Sequence, residues 1–322
     1  LGRVLPITRA ALTLFFSVFA VAANAESCEI VDAFTPALEL AGATAKLSPG
    51  DQANAFAVKV IGQFPALYDP QVLGLPPGPK RAVRIVASLD VLRKDRAAAI
   101  ALRGSVAEAV PGIAAVYAQN FPDFRCDFPI YLLDSLGQLD GAGRVVAGRP
   151  SLVVGIDMLM IENPALRPVF LAHEFFHRYH AQAAGFSDDA GEGQALWRVL
   201  WAEGLATYVS MKLTPGATLI DALILPADLE ARAKPKLPEI VAKLKPRLDK
   251  VDPATYRLLF TYGGKDATKA GLPWRSGYYL GYLVAAELGK TRPLTALAHL
   301  RGAILRKAIE AALTKIAAPG GE

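Results

Sequence analysis

The chain has 322 residues, 52% of them apolar and 20% charged, with a formal net charge of +5; this balance excludes a disordered polymer and leaves ample material for a buried core. Residues 1–25 hold Arg3 and Arg9 and no acid, so setting them aside leaves 33 basic against 30 acidic side chains. So small a surplus argues against a polyanion partner, and no nucleic-acid function is expected.

The N-terminal segment reads as an export signal: a positive start at Arg3 and Arg9, an apolar run from Ala10 to Ala23, and small residues at Ala23-Asn24-Ala25. Cleavage would leave Glu26 first and place the protein in the bacterial periplasm or medium. The apolar run rises only ~21 Å as a helix against a hydrocarbon core of ~30 Å, so a membrane anchor is not expected. Nor is any later segment expected to span a bilayer. Cys28 and Cys126 are the two cysteines, and an even count in an oxidising compartment predicts a disulfide, with two buried thiols as the alternative. Closing a loop of that length stabilises a fold by about 4 kcal/mol in the chain-entropy model.

Residues 26–120 form a helical N-terminal portion. Its helical pieces, between 36 and 118, are broken at Leu75-Pro76-Pro77-Gly78-Pro79, and the alanine-rich run from Arg81 to Val110 is expected to stop at Pro111-Gly112. Beyond Cys126, Phe128 to Leu133 and Ser151 to Met158 read as strands on either side of a glycine-rich stretch, Gly137 to Gly148, which suggests a small antiparallel ribbon. The second strand would be either an exposed edge able to bind an extended peptide by strand addition or plain scaffold. A helix follows from about Pro164 to Ala184, with Gly185 as its stop, then a polar loop, Ser187 to Gly193, and a second helix from Gln194 to Leu213. Recurring prolines between Ala227 and Pro253 predict short kinked helices, and the basic stretch Arg232 to Lys250 reads as a solvated face. Gly277 to Leu288 and Pro293 to Ala318 complete the set.

The chemistry concentrates in His173-Glu174-Phe175-Phe176-His177. On a helix, residues four apart lie ~40° apart in azimuth and ~6 Å apart along the axis, so His173 and His177 share a face and can share a metal. Glu174 stands beside them, placed to take a proton from a water on the metal without being a ligand. A catalytic zinc takes three protein donors and keeps one position for water. Glu203 is the candidate third donor, because Leu196, Val199, Leu200, Glu203 and Thr207 follow one apolar stripe, and a buried carboxylate needs a partner. An ion pair with a buried Arg or Lys is the competing reading for Glu203, and Asp188, Asp189 and Glu192 are competing donors in the polar loop. His180 shares the face of His173 but lies ~10 Å further along the axis, too far for one ion, and is expected in a supporting or surface role.

These two helices, the second reading Trp201-Ala202-Glu203-Gly204-Leu205-Ala206-Thr207-Tyr208, resemble the gluzincin metallopeptidases. More narrowly they resemble bacterial zinc-dependent proteases of unknown function that pair an H-E-x-x-H helix with a Glu-Gly-Leu-Ala segment and a later Gly-Tyr-rich helix. The resemblance covers roughly Phe128 to Leu288. It implies a zincin-like catalytic domain over residues 121–322, mainly helical α+β with a small antiparallel sheet beside the H-E-x-x-H helix. It implies Zn2+ held by His173, His177 and Glu203, with Glu174 as general base and proton shuttle. Thr207 stands where thermolysin-like members carry an aspartate that orients a histidine, and its hydroxyl is expected to accept an imidazole N–H. The Gly-Ala-Met-Glu-Asn signature of aminopeptidase members is absent. Trp274-Arg275-Ser276-Gly277-Tyr278-Tyr279-Leu280-Gly281-Tyr282 matches the Gly-Tyr element, with Tyr278 first and Arg275 second as donors to the oxyanion; an aromatic packing stripe is the alternative there. The expected activity is hydrolysis of peptide bonds in a peptide or protein substrate. The rival readings are an exported non-catalytic binding or assembly protein that retains a structural metal site, and a hydrolase of non-peptide bonds.

Overall fold

A computed structural model describes residues 28–186 and 193–318. Residues 1–25, expected to be an export signal, and most of the polar loop with Asp188, Asp189 and Glu192 lie outside the described residues. Four short strands, β1 (Ile30–Asp32), β2 (Ile130–Leu133), β3 (Gly141–Val146) and β4 (Arg149–Gly155), form one sheet in the order β1-β2-β4-β3. β1, β2 and β4 run parallel, and β3 is antiparallel to β4. The expected two-stranded antiparallel ribbon is therefore corrected to a mixed sheet. The reason lies in the glycine-rich stretch, which is itself a strand. Ala147 and Gly148 take φ of 50° and 78°, a two-residue turn whose twist suits a tight hairpin. The chain thus reverses twice between β2 and β4, which leaves those two parallel. β4 is interior to the sheet, so the expected exposed edge belongs to β3 instead. β4 also ends at Gly155 rather than Met158. A Cβ at Gly155 would lie 2.0 Å from the Leu139 carbonyl oxygen, and the chain turns there into a short helix.

β1 pairs Ile30 with Ile130, and the expected Cys28–Cys126 disulfide closes beside that pairing, with 5.0 Å between the two Cα atoms. The helices before β2 are α1 (Thr35–Ala43), α2 (Pro49–Phe56), α3 (Pro70–Leu73), α4 (Pro79–Lys94) and α5 (Arg96–Asn120). The break at Leu75 to Pro79 falls between α3 and α4 as expected, but Pro111 lies inside α5. Ala99, Leu102, Val106, Val110, Ala114 and Tyr117 recur on one buried face across the proline, and packing along that stripe outweighs the one lost backbone hydrogen bond. At 25 residues α5 is long and apolar enough to cross a membrane by length and composition, contrary to expectation. Its buried face packs against α4, the short helix α6 (Ile156–Leu159) and α7 (Arg167–Ala184).

The chain continues through α8 (Leu196–Leu213), α9 (Leu219–Leu223), α10 (Leu229–Ala233), α11 (Leu237–Leu244), α12 (Pro253–Phe260), α13 (Lys265–Lys269) and α14 (Ser276–Gly289). The proline-rich stretch gives the expected short pieces. The last expected helix is split into α15 (Leu294–Ala298) and α16 (Gly302–Ile316), because Gly302 takes a left-handed φ of 61° that no helix interior accommodates. The protein is thus mainly helical with one small mixed sheet.

Three helices position the site. α7 follows a single 3-10 turn whose Asn163 side chain accepts the Ala165 amide at 3.1 Å, and it ends at Gly185 with φ 65°. Its rear face, Phe175, Phe176 and Tyr179, packs into an aromatic cluster with Tyr117, Phe121 and Phe124, and the Tyr117 hydroxyl donates to the Ala172 carbonyl. α8 and α14 cross at glycines. A Cβ on Gly204 would lie 2.1 Å from the Gly281 carbonyl carbon, and one on Gly281 would lie 2.5 Å from the Leu200 oxygen, so neither position has room for a methyl group.

β3 is delivered by a loop that two aspartates, Asp134 buried and Asp157 partly so, hold in shape. Asp157 accepts the Ser135 amide at 2.7 Å, the Ser135 hydroxyl at 3.0 Å and the Gly137 amide at 2.7 Å. Asp134 accepts the Ser88 hydroxyl at 2.7 Å and the Leu136 amide at 3.1 Å. Burial, and then the neighbouring Asp157 charge, push Asp134 above the usual carboxylate range, and burial pushes Asp157 the same way, so the pair retains a proton.

Two outcomes follow. Gly204→Ala forces two backbones apart and is expected to destabilise the protein by about 1–3 kcal/mol or more in denaturant unfolding. The Asp134–Asp157 pair keeps in the folded state a proton that unfolded carboxylates release near pH ~4. Its contribution is complete below that range and is lost as pH climbs until the folded pair ionises. The stability difference between the wild type and Asp134→Asn, measured at stepped pH, should therefore shrink in that direction; a difference that grows with pH contradicts the assignment.

Candidate metal centre

The apolar stripe of α8 is buried at Leu196, Val199, Leu200 and Thr207, and it carries Glu203 inward, with 14% of that side chain exposed. His173 and His177, both buried, face it from α7. The Glu203 Oε2 atom lies 3.3 Å from His173 Nε2 and 3.6 Å from His177 Nε2, and the two Nε2 atoms are 3.0 Å apart. Donors bound at ~2.0–2.1 Å around a tetrahedral ion lie roughly 3.3–3.4 Å from one another. These three separations bracket that value, so the group can hold a metal ion.

The states of His173 and Glu203 agree with ligation. Burial lowers the His173 imidazole and keeps it neutral. Burial works against the Glu203 carboxylate, but His177 and His173 more than offset it and hold its pKa well below the usual range. A neutral imidazole and an ionised carboxylate are the forms that bind divalent cations.

Glu174 is 8% exposed, and burial pushes its pKa up to about 8, with Asp140 and Glu203 adding to the rise against an opposing pull from His177. β3 passes directly over it. A Cβ on Gly141 would lie 2.7 Å from both Glu174 Cγ and Phe170 Cζ, so glycine is the residue that lets the strand and the carboxylate occupy this space.

The triad opens into a cleft of about 660 Å³ that Glu174, Arg275 and Tyr278 also line. Arg275 begins α14 with a left-handed φ of 61°, and its guanidinium lies 3.9 Å from the centre of the Tyr278 ring. Burial, and then the Glu203 charge, push the Tyr278 phenol well above its ordinary value, so it stays a proton donor. Tyr282, one turn further on, packs against Tyr208 instead.

One expectation needs correction, and one pair of alternatives narrows. The Thr207 hydroxyl donates to the Glu203 backbone carbonyl at 2.8 Å, and His173 Nδ1 has no hydrogen-bond partner among the described residues. A threonine on a helix reaches its own i−4 carbonyl more readily than a neighbouring ring. Of the two roles expected for His180, the surface one is removed: it is buried, with ring centroids 5.2 Å from Phe176 and 4.2 Å from Phe186, burial drives its pKa down to about 3, and it is not in the candidate metal-binding group.

Sequence reasoning missed several residues of the cleft: Asp140, Arg144, Glu162, Phe170, Ile224, Leu225, Tyr256 and Tyr262. Burial, and then Asp140, raise Glu162 to about 7. Asp140 and Gly141 read only as part of a glycine-rich stretch, and Pro164 only as a helix start, so neither place carried a signal of chemistry.

Purified protein is expected to carry about one zinc per chain by elemental analysis, and His173→Ala and Glu203→Gln should each abolish stoichiometric binding; unchanged metal content in either variant would contradict the three-donor site. Neither family models, curated proteins nor solved structures yield a match to this chain, and the reading of the site rests on its own geometry.

Proposed function

We propose that the protein is a zinc-dependent hydrolase of peptide bonds, exported from a bacterial cell. The observation that carries this reading is the convergence of two imidazoles and one carboxylate, at separations suited to a single ion, beside a buried Glu174 in an open cleft.

His173, His177 and Glu203 would hold the ion. When bound, it supplies Lewis acidity, which polarises a carbonyl and makes water acidic near neutral pH. Glu174 does the proton work: one carboxylate oxygen takes a proton from the attacking water and gives it to the leaving nitrogen, so amide and water become acid and amine. Gly141 and Phe170 crowd this part of the cleft beside the Glu174 side chain. Tyr278, held protonated, donates a hydrogen bond to the oxygen that gains charge, and the Arg275 guanidinium lies over its ring.

A non-catalytic binding or assembly protein with a structural metal would close the site with a fourth protein donor. Among the described residues the group has three members, and it lines a cleft rather than a sealed core, which supports the hydrolytic reading.

Glu174→Gln should keep zinc in full while lowering the hydrolysis rate of a mixed peptide library by roughly 10²–10⁴-fold. Retention of both zinc and full activity would remove Glu174 from its role. An absence of hydrolysis in the zinc-loaded wild type would favour the binding-protein reading.

A further inference from the structure

The segment that closes α9 has a backbone that branched residues rarely adopt. Ile224 sits at φ 64°, ψ −72°, and the Leu225 amide donates to the Leu223 carbonyl at 2.8 Å. This is a γ-turn of the positive-φ kind, strained for any L side chain and most of all for a β-branched one. Glycine reaches the same conformation freely. The turn by itself therefore has no need of isoleucine.

What isoleucine adds is a side chain that packs partly against the core at the wall of the cleft. Ile224 and Leu225 both line it, and Leu225 is 39% exposed. The turn is pinned from both sides, by buried Ala222 and Leu223 before it and buried Leu229 after it, while a Thr218–Asp221 capping box fixes the start of α9. Strain persists where the surroundings over-determine it, and such places gather at ligand-contacting segments.

The neighbouring lining is aromatic. Tyr256 and Tyr262 line the same cleft, and Tyr262 is 62% exposed. Tyr256 stacks on Phe260 with centroids 5.7 Å apart, and Phe260 meets Tyr278 at 6.2 Å. Ring contacts through the buried Phe260 thus couple Tyr256 to Tyr278, which lines the same cleft. Exposed leucine and tyrosine at a cleft mouth leave water only when a ligand covers them.

We propose that the Ile224 γ-turn, with Leu225, Tyr256 and Tyr262, is a specificity wall that receives a bulky apolar side chain of the substrate next to the reacting carbonyl. The assignment rests on the metal-dependent hydrolase reading above. Strain at Ile224 is then the condition for setting two adjacent aliphatic side chains at the wall of the cleft.

Binding without turnover tests it. Four short peptide hydroxamates that differ in one side chain (benzyl, isobutyl, aminobutyl and carboxymethyl) are titrated calorimetrically into the zinc-loaded protein. The benzyl and isobutyl members should bind roughly tenfold or more tightly than the other two, in line with discrimination by an apolar pocket. Ile224→Gly keeps the turn and removes its side chain, and Tyr262→Ala removes an exposed ring. Each should reduce that preference to threefold or less, with zinc content and affinity for the carboxymethyl member unchanged. Equal affinities across the four probes in the wild type, or a preference that survives both substitutions, overturns the wall. If the hydroxamates bind no better than the matching methyl esters, the metal-dependent reading itself fails, and the wall falls with it.

Discussion

Glu203 carries a negative charge in a place with little water, and most of the architecture around the site answers to that. An ionised carboxylate out of solvent needs partners that supply positive potential, or it takes up a proton. Two imidazoles one helical turn apart meet the need from one side, and they do so because α7 is long, regular and fixed at its rear by Tyr117, Phe121 and Phe124. α8 must then approach closely enough to bring its carboxylate within reach. The facing glycines at 204 and 281 let α14 press in behind, so the donor next to Gly204 is held by backbone contact rather than by a flexible side chain.

Burial acts with opposite sign on the acids and bases of this site. It holds His173 neutral and lifts Glu174 into the range where a carboxylate can both accept and release a proton near neutrality. Glu203 escapes the same lift only through its histidine neighbours. Two glutamates within one cleft thus take different protonation behaviour from their surroundings, and their different uses follow from it.

The parts legible in the sequence are those set by helical periodicity. Spacing of four placed His173 and His177 together, and the apolar stripe of α8 marked Glu203 as inward. Gly185 as a stop and the Cys28–Cys126 pairing were equally readable. Parts that depend on distant packing were not. Nothing local distinguishes Pro111 as a tolerated proline, since the decisive stripe lies on both sides of it. The direction of the sheet turned on whether a glycine-rich stretch was loop or strand. Ile224 gave no signal at all, because its conformation is imposed by anchors on either side, and Thr207 stood at the right turn of its helix but spent its hydroxyl on its own backbone.

The bridge between Cys28 and Cys126 also bears on the order of assembly. β1 leaves the ribosome about a hundred residues before β2, its partner in the sheet, and parallel pairing across such a distance is the slowest kind of contact to find. Once the sulfurs are joined, Ile30 and Ile130 are near neighbours along the covalent path, and the most remote strand pair in the protein becomes the most local. A chain matured under oxidising conditions would then build its sheet from that corner outward, with β3, the strand that roofs Glu174, added at the far edge.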